Sequence, residues 1–122
     1  MTEGTKYDNG KLRWTLIPWE EMKDVVRVLM HGAEKYSDDN WKRVLPLERY
    51  SNALTRHVLA VMAGEWADPD TGLPHLAHAV CNCLFAMWHW KNASDHKDDL
   101  IDSTAAWSKL GEDVKKVMGG KE

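Results

Sequence analysis

Cysteine is nearly absent from this chain: Cys81 and Cys83 are the only two in 122 residues. Two positions apart on a helix, they would face different directions, which excludes a disulfide or a shared metal between them. They read as buried free thiols at reducing potential, and hence as a cytoplasmic protein. The opening MTEGTKYDNG has no apolar signal core. No apolar run approaches the ~20 residues that span a bilayer. Basic charge is not in surplus either. Sixteen Lys and Arg against nineteen Asp and Glu leave a formal net charge of −3, which argues against a nucleic-acid polymer as partner. A single nucleotide stays open, because a metal ion or a few local bases meet its phosphates. There are no internal repeats and no low-complexity tracts. With 43% hydrophobic and 29% charged residues, the composition fits one soluble globular domain, not a disordered chain. Phenylalanine occurs once, beside seven tryptophans, whose broad faces and N–H groups suit both ring stacking and packing.

What is present is helical periodicity. Residues 1–17 read as an ordered arm, with turn chemistry at Tyr7-Asp8-Asn9-Gly10-Lys11. Gly10-Lys11 is either a solvated turn or a weak phosphate cradle, since the full glycine-rich loop is missing. Pro18 at a first helical position, with Glu20 and Glu21 behind it, predicts a helix start. Met22, Val25, Val26, Leu29, Ala33 and Tyr36 then mark its apolar face, while Lys23, Arg27 and His31 face water. Residues 37–46 form a loop in which Asn40 and Trp41 either hold a base or lid the core. A second helix is expected from about Leu47 to Ala63, stopped by Gly64, with His57 in the middle of its apolar face. A third begins near Leu73 and is apolar almost all the way round, so it is expected to be central and largely buried. Residues 18–93 thus form a three-helix core. In residues 98–118, Leu100, Trp107 and Val114 recur every seven residues, with Leu110 and Val117 beside them. That predicts a C-terminal helix packed on the bundle or on a second subunit.

The chemistry gathers around the third helix. His75, His78, Asn82 and His89 fall within an arc of roughly 60°. A buried polar stripe needs partners, because unpaired polar groups cost about 1–3 kcal/mol each. Glu65, Asp68 and Asp70 lie just upstream, and His57 and Glu65 can meet His75 and His78 across an antiparallel hairpin. Facing helices that project polar groups inward are how metal sites form in bundle cores. Carboxylates invite a divalent cation, and imidazole from His57, His75 or His78 tilts the choice from Mg²⁺ toward Mn²⁺. Such an ion bridges phosphate oxygens and activates a water, with a carboxylate or His as base. Lys11, Lys35, Arg49 and Arg56 are available to neutralise a polyphosphate. No Ser or Cys sits where a His–carboxylate pair would activate it. The bland alternative is that Asp68, Asp70 and Thr71 cap a turn while the histidines tie helices together.

A set of short motifs recurs in order: Asp8-x-Gly10-Lys11, Gly32-Ala33-x-Lys35-Tyr36, Asn40-Trp41, Arg56-His57, Gly64-Glu65-x-x-Asp68, and Thr71-Gly72-Leu73-Pro74-His75 through His78 and Asn82. Over residues 6–92 the chain resembles the phage and prophage family of dATP/dGTP diphosphohydrolase N-terminal domains. The resemblance implies a phage-encoded, all-α protein close to the MazG-like pyrophosphohydrolases. Those enzymes cleave (d)NTPs to (d)NMP and pyrophosphate with Mg²⁺ or Mn²⁺, usually as oligomers. The expectation is therefore an all-α compact bundle of three core helices plus a C-terminal helix. Glu65 and His57 are the expected catalytic residues, and Glu65, Asp68, His75 and His78 the metal ligands. Lys11, Lys35, Tyr36, Asn40, Trp41, Arg56 and Asn82 are expected to contact the nucleotide. The alternatives are a nucleotide-binding protein without hydrolysis, such as a sponge for a host nucleotide signal, and a purely structural bundle.

Overall fold

Pro18 closes an exposed arm and opens the first helix, as its fixed φ favours. The computed structural model describes residues 3–93, 109 and 111–119. In the arm, Trp14–Leu16 make one 3₁₀ turn, and the Trp19 indole N–H donates to the Trp14 carbonyl at 3.1 Å. Helix α1 spans Trp19–Lys35, with Glu20 and Glu21 in its first turn and Lys35 in its last, each matched to the helix dipole. A 3₁₀ turn at Asn40–Arg43 leads into α2, Glu48–Met62, and α3 follows as His75–Lys91 after Pro74. The fold is all-α; among the described residues the only β feature is a single antiparallel bridge between Ala67 and Pro74. Residues 111–117 are helical, with Val114 and Val117 exposed. The remaining seam residues Leu100, Trp107 and Leu110 lie outside the described residues.

Helices α2 and α3 pack as an antiparallel pair, and α1 lies against α3. Two small apolar clusters hold them. Leu47, Tyr50 and Ala93 form one with Val44 and Leu45, and Val25, Ala77 and Cys81 form the other with Met22, Val28 and Leu29. Phe85, the one phenylalanine, packs against both. The Cys81 thiol donates to the Val25 carbonyl at 3.5 Å, and burial pushes its pKa up to about 12.

Three expectations need correction. On α1 the inward face is centred on Val25 and takes in Val28, so Val26 and Tyr36 are left exposed. Period alone had included these two because the apolar arc is wider than its contact with α3. Helix α3 is not buried all round. Its polar stripe lies in the middle of the inward face, while Leu76, Val80, Leu84, Met87 and Trp90 stand exposed on the opposite flank. Polar partners, not apolarity, decide which way this helix faces. Cys83 belongs to that outer flank and is exposed, unlike Cys81.

Candidate functional site

The link between α2 and α3 is built to turn back on itself. Gly64 ends α2 with φ +96°, the Gly64 N–H donates to the Val61 carbonyl at 2.9 Å, and the Glu65 N–H donates to the Ala60 carbonyl at 2.9 Å. This pair of bonds is the Schellman closure, which a left-handed glycine permits. It aims the Glu65 side chain at α3, where Oε1 lies 2.7 Å from His75 Nε2. Farther on, Asp68 Oδ1 accepts the Asp70 and Thr71 N–H groups at 2.7 and 3.2 Å. The Asp68 N–H bonds the Leu73 carbonyl at 2.8 Å, and Gly72 takes φ +72° to close the turn. One oxygen of Asp68 thus shapes the loop and the other is left to face the helices.

That second oxygen meets two imidazoles. His57 Nδ1 on α2 and His75 Nδ1 on α3 are 2.8 Å apart, and Asp68 Oδ2 lies 3.9 and 4.0 Å from them. These three residues are the group among the described residues whose ligand atoms converge as a metal site would need. The point equidistant from the corners of that triangle falls inside it, about 2.1 Å from each atom. This is the bond length at which imidazole nitrogen and carboxylate oxygen meet a small divalent cation. The His75 side chain is 6% exposed, and those of His57 and Asp68 are 18% and 15% exposed.

His78 extends the array. Its ring stacks on His57 with centroids 4.6 Å apart and 8° between planes, and its Nε2 lies 2.9 Å from Thr71 Oγ1. Burial lowers the pKa of His57, and His78 and His75 add to the effect against an opposing pull from Asp68. Burial also lowers that of His78, opposed by Asp68 and reinforced by His75 and His31. Both rings are therefore held neutral, the form that offers a lone pair to a proton or a metal. Burial works against ionisation of Asp68. The Asp70 and Thr71 amides, with His78 and His57, outweigh it and keep the carboxyl below its ordinary pKa.

A cavity of about 600 Å³ opens beside this group, and His57, Asp68, His78, Lys35, Tyr36, Asn40 and Trp41 are among the residues that line it. Its size suits a small organic ligand. Of the expected nucleotide contacts, Lys35, Tyr36, Asn40 and Trp41 line it, and Lys11, Arg56 and Asn82 do not. Lys11 and Arg56 are exposed elsewhere, and the Asn82 side-chain amide donates to the His78 carbonyl of its own helix at 2.9 Å. Trp41 is largely occupied in packing. It stacks on Phe85 at 4.7 Å and meets Trp88 edge-on at 5.2 Å. Of the expected metal set, Asp68 and His75 join His57 in the triangle. Glu65 touches only the far nitrogen of His75, and His78 turns to Thr71. His89, the last member of the stripe, is spent at the other end of α3, where its Nε2 lies 2.9 Å from the Trp41 carbonyl and 3.2 Å from the Tyr50 hydroxyl. The expected meeting of His57 and Glu65 with the His75/His78 stripe across the hairpin is what the structure shows, and the register of the two helices across the turn decides which ring nitrogens face each other. Asp70, expected among the carboxylates, and Thr71, expected in the capping turn, both line the cavity, and Phe85, read only as part of an apolar helix, lines it as well.

The family described as dATP/dGTP diphosphohydrolase, N-terminal, matches residues 1–99. A protein of Salmonella phage PMBT28 named dATP/dGTP diphosphohydrolase is 38% identical over 95 residues, covering 78% of this chain and 32% of the relative. The chain thus spans about a third of that relative's length. No solved structure matches it.

Proposed function

Because the chain belongs to the dATP/dGTP diphosphohydrolase N-terminal family, we propose that its cavity takes a purine (d)NTP and cleaves it to (d)NMP and pyrophosphate at a cation held by His57, Asp68 and His75. The observation that carries this reading is the triangle of donor atoms, equidistant from one point at metal-bond length, with His57 and Asp68 on the wall of a ligand-sized cavity. Two imidazoles and a carboxylate favour Mn²⁺ over Mg²⁺, although both remain in use for phosphate chemistry. When bound, the ion draws phosphate oxygens toward it and makes a water more acidic. Hydrolysis at the α-phosphorus would put the oxygen of a water on that phosphorus, break the α–β bridging P–O bond and release pyrophosphate, the water's proton passing to a base on the cavity wall. His78, on the cavity wall with its pKa lowered by burial, would accept that proton, and Lys35 would offset phosphate charge. Trp41 and Asn40, also on the cavity wall, would receive the base. The relative's name supports a purine substrate, and its phage origin supports action in the host cytoplasm.

The outward flank of α3 supports an oligomer. Leu76, Val80, Leu84, Met87 and Trp90 form an apolar stripe with no cover from the described chain, the kind of surface that a second copy removes from water. Leu84→Glu is expected to convert the assembly to monomers in sedimentation.

The test of the reaction is direct. With Mn²⁺ and dGTP or dATP, wild-type protein is expected to yield monophosphate and pyrophosphate, and Asp68→Asn to yield neither. Recovery of intact nucleotide from a tight complex would instead mark a binding protein without chemistry. No binding at all would leave a helical scaffold.

A further inference from the structure

The geometry points to Glu65 as a positioning residue, neither a ligand nor a base, that fixes the tautomer of His75 so that its Nδ1 lone pair faces the cation. This role rests on the reading that His57, Asp68 and His75 form the centre. Glu65 Oε1 lies 2.7 Å from His75 Nε2, on the side of the ring away from the triangle. A carboxylate is acceptor-only, so the proton of a neutral His75 must sit on Nε2. The opposite nitrogen is then bare, and it is the nitrogen that lies 2.8 Å from His57 Nδ1 and 4.0 Å from Asp68 Oδ2. Without the carboxylate, nothing among the described residues selects this tautomer, and an Nδ1–H would place a proton where the cation belongs. A carboxylate on the far nitrogen also makes a ligand imidazole a stronger donor. His57 follows from the same constraint. With His75 Nδ1 as acceptor, His57 Nδ1–H is the donor between the two rings until a cation takes the proton's place.

The arrangement gives the Gly64-Glu65-x-x-Asp68 segment two separate jobs. Asp68 reaches the centre itself, whereas Glu65, 53% exposed at its side chain, acts through a histidine that is 6% exposed. The glycine that precedes it turns the chain so that Glu65 points at α3. A glutamine at position 65 keeps an oxygen acceptor for Nε2–H, and an alanine keeps nothing.

Mn²⁺ binding to the full chain, followed by calorimetry, and ¹⁵N NMR of the imidazoles in metal-free protein at about pH 8, above the usual imidazole range, test this role together. Wild-type protein should bind Mn²⁺ and show His75 as the Nε2–H tautomer, and Asp68→Asn should abolish binding. Glu65→Gln is expected to keep the tautomer and bind within a few-fold of wild type. Glu65→Ala should lose the tautomer preference and bind 10–100-fold more weakly, the range for losing an outer partner of a ligand histidine. Glu65→Gln falling as far as Asp68→Asn would make Glu65 a ligand and overturn the role. Glu65→Ala binding like wild type would overturn it as well. Wild-type protein that takes up no Mn²⁺ overturns the centre itself. That result is distinct from the other two, in which wild type binds and Asp68→Asn does not.

Discussion

Asp68 offers the sharpest separation of structure from chemistry, because its two oxygens have different partners. Oδ1 accepts two backbone N–H groups at 2.7 and 3.2 Å, and Oδ2 faces His57 and His75. Asparagine keeps one oxygen acceptor, so Asp68→Asn is expected to preserve the turn and place an amide –NH₂ where the second oxygen was. Alanine removes both. Two hydrogen bonds to a charged acceptor contribute about 1.5–3 kcal/mol each at most. Partial access to water at this loop discounts that sum to below its lower end, so Asp68→Ala should lose roughly 2–3 kcal/mol. For a chain of 122 residues each kcal/mol is worth roughly 3–6 °C in melting temperature. Asp68→Ala should therefore melt roughly 6–18 °C below wild type, and Asp68→Asn within a few degrees of it. Neither variant should bind Mn²⁺. Paired thermal melts and calorimetric titrations read both effects. An Asp68→Ala protein as stable as wild type would show that the carboxylate does not hold the turn. Mn²⁺ uptake by Asp68→Asn would remove Oδ2 from the centre.

Other consequences are equally open to measurement. Tyr50 is buried, with its hydroxyl 2.7 Å from both the Trp41 and Val44 carbonyl oxygens; Tyr50→Phe should cost about 1–3 kcal/mol in chemical denaturation, and an unchanged midpoint would refute the clamp. His57 and His78 both titrate below their ordinary 6.5 when folded. As pH falls below about 6.5 the unfolded chain takes up protons that the folded chain refuses, so stability should fall in that window. Asp68, also lowered, adds a further loss in stronger acid, as pH passes from its ordinary 3.8 through its folded value. Melting temperatures that stay flat from neutral pH to pH ~5 would contradict this. Gly64→Ala places a side chain in the left-handed region with open space around it. It should cost about 1–2 kcal/mol by denaturation, and weaker Mn²⁺ binding is expected because Glu65 follows it.

Much of this arrangement could be read before any coordinates. Pro18, Gly64 and Pro74 are strong local signals, and each helix begins or ends within a residue or two of them. The row of His75, His78 and His89 is a matter of period, and so is its distance from the apolar flank. What period does not carry is what covers each face. Helix α3 is apolar on both sides, and only the location of hydrogen-bond partners decides that the histidine side turns inward. The division of labour within the row also lies beyond spacing. His75 and His57 meet because α2 and α3 register across a closed turn, whereas Asn82 is satisfied by its own helix and His89 by the Trp41 loop. Trp41 had two readings, and the structure engages its ring with Phe85 and Trp88 while one edge still borders the cavity.

The two polar links between α2 and α3 sit at opposite ends of the pair: His57 to His75 near the turn, Tyr50 to His89 fourteen residues farther along α3, roughly 21 Å away. They rivet the two helices into a stiff board. Helix α1 is fastened to that board by side-chain packing and, among the described residues, by the single sulfur contact from Cys81. Hydrogen exchange is therefore expected to be faster along α1 than across the α2–α3 pair.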